Sequence, residues 1–322
     1  SLDRDVSLYK NHRIGVVVPA YNEEELILET LGGMPELIDR IFVVNDASRD
    51  RTLELIRGRQ KEDPRVEIIN HETNKGLGQS LIDGYVAAAH SDVDVTVVMA
   101  GDNQMHPGDL PTLLDPIVDK GFDYVKGNRL LHQNVGSMPR HRFFGNAVLT
   151  ILTKFATGYY SLMDPQCGYT AIRNTALRAI PIETMTKGYG YNADILNMLN
   201  IQRFRVTDVE VRPVYDREKS KIKLWKYIPK TSMILINLFF RRLWKRYVVV
   251  DFHPLVLFYA FAFFNVIAIM LPFTVRFFYM WATVGELPRT TLVVLISTFL
   301  VTFQSILFAI WMDMDYNKIR RD

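Results

Sequence analysis

The sequence predicts an α/β protein with a mostly parallel, doubly wound sheet in its first two-thirds, followed by basic amphipathic helices and two transmembrane helices. Three observations carry this. Short β-branched runs alternate with helical segments, the pattern of a parallel sheet with crossover helices. The runs end in polar residues and turns, where open α/β sheets hold their ligands. Two stretches without a charged residue, 254–275 and 290–312, each exceed the roughly 20 residues that cross a ~30 Å hydrocarbon core.

The elements follow in order. RIGVVVPAYNEEE reads as strand, turn and helix start, and RIFVVNDASRDRTLELI repeats the pattern. RVEIIN with NKGLGQSLIDGYVAAA gives a third unit, and DVTVVMAGDNQMHPGDLPTLLDPIV a fourth. From residue 122 to 213 the pattern is mixed: strand-like DYVKGN, a helix over 141–157, strand-like GYTAIR, a helix near 193–200, and strand-like FRVTDVEV. SKIKLWKYIPKTSMILINLFFRRLWKRY then mixes Trp, Leu, Ile and Phe with basic residues and is divided by Pro229. That composition suits helices lying in a membrane interface, with a packed connector as the alternative. The expected divisions are a cytoplasmic catalytic domain at 1–220, amphipathic juxtamembrane helices at 221–250 and a two-span anchor at 251–322.

Hydrophobic residues make up 48% of the 322, ample for a core. The net charge of +3 discriminates little, and no nucleic-acid partner is expected. A single cysteine, Cys167, excludes an internal disulfide and suits a reducing compartment. The opening SLDRDVSLYKNHR is polar and charged and does not read as a signal peptide. Arg241, Arg242, Lys245 and Arg246 precede the first span, and Lys318, Arg320 and Arg321 follow the second, so both ends are expected on the cytoplasmic side.

Three strand ends bring polar groups to one sheet edge: Tyr21, Asn22 and Glu23; Asn45 and Asp46; Asp102 and Gln104. A Rossmann dehydrogenase is excluded, because PAYNEE lacks the glycines that let a backbone approach pyrophosphate. Without such a cradle a diphosphate needs a cation. A hard-oxygen site from Asp102, aided by Gln104 and ligand phosphates, suits Mg²⁺ or Mn²⁺, since magnesium is often held by one or two carboxylates plus phosphates.

PAYNEE, VVNDASRD, VVMAGDNQMHP, KGNR, DPQCGY and GYGYNADIL, in this order and spacing, resemble the family 2 glycosyltransferases of GT-A fold over roughly residues 13–222. With the amphipathic stretch and two spans, the likeness is to the polyprenyl-phosphate (dolichyl-phosphate) glycosyltransferases. The resemblance implies inverting transfer of a hexose from a nucleotide sugar to polyprenyl or dolichyl phosphate at the bilayer. The Gln-Cys-Gly string leans towards UDP-glucose; GDP-mannose and UDP-N-acetylhexosamine stay open, and a homo-oligomer is compatible. The family's metal motif usually reads Asp-x-Asp. Its first acid is Ala100 here, which leaves Asp102, with Gln104 in the place of a glutamine that often joins the metal shell. By the same carry-over Pro19, Tyr21, Glu23, Asp46 and Asp102 hold the nucleotide.

A lipid phosphate is already an anion and needs cations rather than a base. Guanidinium forks suit it, and candidates are Arg129 in KGNR, Arg140 and Arg142 in MPRHRFF, and Arg212 and Arg217 in VRPVYDREKSK. Family position singles out Arg129 and Arg142, and Arg217 joins them as an acceptor-phosphate candidate. Asp164, opening DPQCGY, resembles the acceptor-side motif and completes the catalytic set of Asp102, Arg129, Arg142 and Asp164. Asp194 reads as a site acid or a helix-start acid, Cys167 as a packed residue, and His106 as a turn residue. The rivals are a processive or hydroxyl-acceptor membrane transferase and a non-catalytic scaffold. The Gln-x-x-Arg-Trp typical of processive synthases is absent from the sequence, and Ala100 is what suggests the scaffold.

Overall fold

The computed structural model describes residues 8–130, 140–188, 190–212 and 224–318, with the backbone alone for 140–147 and 224–228. The chain divides into two compact units, Ser1–Phe240 and Arg241–Asp322.

The first unit is built on seven strands: β1 (Ile14–Ala20), β2 (Arg40–Asn45), β3 (Val66–Asn70), β4 (Val95–Val98), β5 (Tyr124–Asn128), β6 (Thr170–Arg173) and β7 (Val206–Glu210). Their order is β3-β2-β1-β4-β6-β5-β7, and every pairing is parallel except those of β6 with β4 and β5. All seven residues of β1, IGVVVPA, are buried, so the strand needs cover on both faces. Alternation along β1 splits that cover. Val16 and Val18 pack with Leu31, Leu110 and Leu114 on one side, and Val17 with Leu81 and Tyr85 on the other. The covering helices include α1 (Ile27–Gly32), α2 (Thr52–Glu62), α3 (Leu77–His90), α4 (Leu110–Lys120), α5 (Arg140–Thr157), α6 (Asn174–Ala179) and α7 (Tyr191–Ile201).

This topology decides where a ligand can sit. Strand order runs outward from β1 to β3 on one side and to β4 on the other, so the loops after β1, β2 and β4 leave one edge at a switch point. Two antiparallel pairings in succession make β5 parallel to β4. The end of β5 at Asn128 therefore reaches the same edge.

One helix closes this unit, α8 (Leu224–Trp244), and it runs through Pro229 instead of being divided there. The proline is the sixth residue, so the N–H it lacks would have served only the first turn. Leu235 and Leu238 of α8 pack on Leu149 and Ala156 of α5 and Ala193 of α7. Asn197 Nδ2 reinforces the contact, donating to the carbonyls of Ala156 at 2.9 Å and Leu238 at 2.8 Å. Met233, Ile236 and Phe240 stay exposed. The helix is thus packed along one side and apolar along another.

In the second unit two helices, Leu255–Val284 and Arg289–Lys318, are long and apolar enough to cross a membrane, each with a mean hydropathy of 2.3 in its most apolar window. Only 22% and 17% of those windows is buried, whereas a core helix of a soluble protein would be mostly covered. At 1.5 Å per residue each is about 45 Å long, enough to carry its ends into the headgroups. The first continues past Val275, through a π-helical stretch at Asn265–Met270, to Gly285, whose φ of +75° ends it. Most of the stretch between the two uncharged runs, residues 276–289, is therefore helix. Arg242 forms a fork on Asp313, with Nη1 to Oδ1 at 2.8 Å and Nη2 to Oδ2 at 2.6 Å, and the Tyr247 hydroxyl donates to the same carboxylate. Arg246 lies over the rings of Tyr247 and Tyr316 at 5.3 and 5.2 Å. Two of the four basic residues ahead of the first span are thus buried against the end of the second.

Candidate active site

The loops after β1 and β2 are stitched together. Asn22, at φ +56°, donates its N–H to Ser48 Oγ at 3.0 Å and accepts from the Arg49 N–H at 2.9 Å, while the Glu23 N–H reaches Thr52 Oγ1 at 2.8 Å. Tyr21 remains 42% exposed beside them, an aromatic face presented to solvent. Pro19 sits inside β1 at no cost to the ladder. Its carbonyl accepts from the Gly101 N–H at 3.1 Å, on the side where pairing with β4 has already ended at Val17 and Val98.

Asp46 is buried at the end of β2. Its Oδ1 accepts from His71 Nδ1 at 2.7 Å and the Lys75 N–H at 2.8 Å, and its Oδ2 from the Gly76 N–H at 2.8 Å. Burial works to raise its pKa, but these hydrogen bonds win and hold the carboxyl below the usual carboxylate range. The NKGLGQS segment makes this possible. Gly76 has φ +86°, and a Cβ on Gly78 would come within 2.4 Å of the Lys187 backbone. Asn45, next to Asp46, does the reverse. Its Nδ2 donates to Asn70 Oδ1 at 2.7 Å, but its buried Oδ1 has no hydrogen-bond partner among the described residues. An orphaned acceptor at a strand end asks for a donor. The sequence places Asn45 on this edge but assigns it no role, because the orphan exists only once Asn70 is alongside.

Beyond β4, Gly101 is pinned by its N–H on Pro19 and by its carbonyl, which accepts from Thr30 Oγ1 at 3.1 Å. Asp102 and Gln104 are both half-buried, and Asp102 Oδ1 accepts from the Gln104 N–H at 3.1 Å. No group of three or more His, Cys, Asp or Glu side chains among the described residues is placed to hold a metal. One carboxylate and one amide are hard donors too few for an all-protein cage, and they fit Mg²⁺ or Mn²⁺ completed by diphosphate oxygens. His106 is the turn residue expected, its Nδ1 accepting from the Gly108 N–H at 3.0 Å.

At the end of β5, Arg129 and Asp164 come together in a fork, Nε to Oδ2 at 2.8 Å and Nη2 to Oδ1 at 3.2 Å. The arginine side chain is 39% exposed and the aspartate 7%, so the carboxylate is the anchored partner. Arg212 is held at 2.7 Å by Asp109, a pairing across 103 residues that sequence gives no means of seeing. Asp194 is buried and accepts from Thr186 N–H and Oγ1 at 2.8 and 2.6 Å, closing the loop before α7. Cys167 is packed in the core, its thiol pushed up by burial. Arg142 lies on α5 with its side chain outside the described residues, as is the whole of Arg217.

Strand order and crevice together define the class, a GT-A glycosyltransferase. The glycosyl transferase family 2 model matches residues 15–180, and the chain belongs to that family. Among its relatives is the undecaprenyl-phosphate mannosyltransferase of Micrococcus luteus, 30% identical over 66% of this chain and 87% of that protein. Another is the UDP-N-acetylglucosamine–dolichyl-phosphate N-acetylglucosaminyltransferase of Methanococcus voltae, 27% identical over 63% of this chain and 86% of that protein. Among solved structures, glucosyl-3-phosphoglycerate synthase from Mycobacterium tuberculosis, determined with Mn²⁺, UDP-glucose and phosphoglyceric acid, superposes with a TM-score of 0.54 at 19% identity, over 72% of this chain and 80% of that one. At that identity the likeness is one of fold.

Proposed function

We propose that the protein transfers a hexose, with UDP-glucose as the favoured donor, to polyprenyl or dolichyl phosphate with inversion at the anomeric carbon. An acceptor phosphate oxygen attacks that carbon, the bond to the nucleoside diphosphate breaks, and a polyprenyl-phosphate sugar is left on the cytoplasmic leaflet. Tyr21 offers a ring to the base and Asn45 Oδ1 an acceptor for a base N–H. Pro19, Glu23 and Asp46 shape the loops around the base and ribose. Asp102 and Gln104 would hold Mg²⁺ or Mn²⁺, which when bound neutralises charge on the departing diphosphate. Arg129, with Arg142 and Arg217, is assigned to the acceptor phosphate.

The observation that carries this reading is the Arg129–Asp164 fork on the same sheet edge as Asp102. A sugar hydroxyl acceptor would need a general base, and the carboxylates described at this corner are engaged: Asp164 has both oxygens turned to a guanidinium, and Asp208 accepts from Asn128 Nδ2 and the Met163 N–H. An anionic acceptor needs only the cation. Relatives whose names specify undecaprenyl and dolichyl phosphate support the same acceptor. The proposed layout is a catalytic domain and both termini on the cytoplasmic side, anchored by the two spans. The test is a panel of labelled nucleotide sugars incubated with the purified protein and polyprenyl phosphate. Label in the lipid extract from one donor is expected; label found only as free sugar or in polymer would overturn the reading.

A further inference from the structure

The acceptor corner contains a lysine that this reading leaves without a task. Lys126 lies on β5 three residues before Arg129 and is 0% exposed. Among the described residues its one hydrogen bond runs from Nζ to Asn192 Oδ1 at 2.8 Å, and Asn192 Nδ2 donates to the Gln166 carbonyl at 3.3 Å, two residues beyond Asp164. No carboxylate forms an ion pair with Lys126 among the described residues. A buried ammonium without one is costly to keep and asks for a reason.

The charges that act on it supply one. They are Asp164 and Arg129, with the Cys167 thiol beside them. Burial pushes that thiol up and keeps it neutral, and it does the same to the phenols of Tyr85 and Tyr124, which gather with Tyr191 around Thr170. Among the described residues the corner therefore holds Arg129 and Lys126 positive and Asp164 negative, together with the Asp208 carboxylate, which β7 lays beside Lys126 and which accepts from Asn128 Nδ2 at 2.9 Å and the Met163 N–H at 2.8 Å. Arg129 and Asp164 cancel in their fork, which leaves Lys126 as the charge that offsets Asp208. We propose that Lys126 supplies the positive charge that keeps the acceptor-phosphate corner from turning net negative and holds Asp164 in place while Arg129 turns to the phosphate, acting as a positioning residue for the reaction. This rests on Arg129 being an acceptor-phosphate ligand.

Burial also pushes the Lys126 ammonium down to about 8, whereas the Arg129 guanidinium keeps its charge at any pH the protein survives. A phosphate monoester has its second pKa near 6, below this range. Acceptor attraction should therefore weaken as pH rises through about 8, while donor binding holds.

The experiment uses the full chain in lipid vesicles with polyprenyl phosphate, measuring KM for acceptor and for donor on either side of pH 8. In the wild type acceptor KM is expected to rise on the order of tenfold with flat donor KM, the size of one lost charge interaction in a partly screened interior. Lys126→Met should show the raised acceptor KM already at neutral pH and no further dependence, and Lys126→Arg should keep the low KM across the range. A flat wild-type acceptor KM, which needs no variant to fold, overturns the proposal, as does an unchanged acceptor KM in a Lys126→Met protein that still binds donor. Arg129→Met separates the two claims. If it leaves acceptor KM untouched, the acceptor corner itself is misassigned; if it raises KM while Lys126→Met does not, the lysine's role alone fails.

Discussion

Asp46 and Asn45 are neighbours at the end of β2, and their hydrogen bonds give them opposite consequences. Asp46→Ala leaves the Lys75 and Gly76 N–H groups and His71 without their acceptor, at a cost of about 2–3 kcal/mol in unfolding free energy. Because its folded pKa is depressed, the contribution of Asp46 is present above the unfolded value of roughly 4 and lost as pH falls through the folded one. Denaturant unfolding of wild type and variant should converge as the pH is lowered into that window; a constant gap would contradict the assignment. Asn45→Ala should instead weaken nucleotide binding about tenfold by calorimetry with a smaller loss of stability, since the Oδ1 it removes has no partner among the described residues. Asp102→Asn removes the carboxylate of the proposed metal corner, so Mn²⁺-dependent UDP binding should fall on the order of a hundredfold and Ala100→Asp should tighten it. Unchanged Mn²⁺ affinity in the Asn variant would end that role.

Elements were legible where burial leaves a one-dimensional trace. The strands announce themselves because a parallel strand covered on both faces reads as an unbroken β-branched run, and VVVPAYNEE and VVNDASRD carry their turns with them. What escaped depends on partners far along the chain. Lys126 reads as an ordinary charge in KGNR until β5 is seen in the interior, and the Arg212–Asp109 pair exists only after β7 is laid beside β5. α8 was read as divided, because Pro229 signals a break and the packing of Leu235 and Leu238 that overrides it is tertiary. A testable consequence lies at the start of the second unit. The buried fork between Arg242 and Asp313 ties the residues ahead of the first span to the end of the second. Asp313→Ala strands a buried guanidinium and should cost about 3–5 kcal/mol, read as a lower midpoint for unfolding in detergent. A midpoint within error of wild type would show the fork to be dispensable.

For the whole molecule, the boundary that matters lies within α8, after Phe240. Cutting near Ser220, at the edge of the expected catalytic domain, strips away Leu235 and Leu238 and uncovers Leu149, Ala156 and Ala193, whereas ending at Phe240 keeps a compact unit. The longer fragment should bind UDP-sugar and metal and act on a short, water-soluble prenyl phosphate. On a long-chain acceptor in bilayers it should work poorly, because each CH₂ drawn from the membrane costs about 0.8 kcal/mol. Equal activity on both acceptors would reduce the spans to tethers.

The claim beneath all of these is that the acceptor is a lipid phosphate. It is tested most directly by mass analysis of the chloroform-extractable product formed by the full chain from UDP-glucose and polyprenyl phosphate. The account predicts a species heavier than the acceptor by one hexose unit, with the sugar joined through the phosphate and its anomeric configuration inverted. Unmodified polyprenyl phosphate beside free glucose, or a sugar attached to any other acceptor, would contradict it.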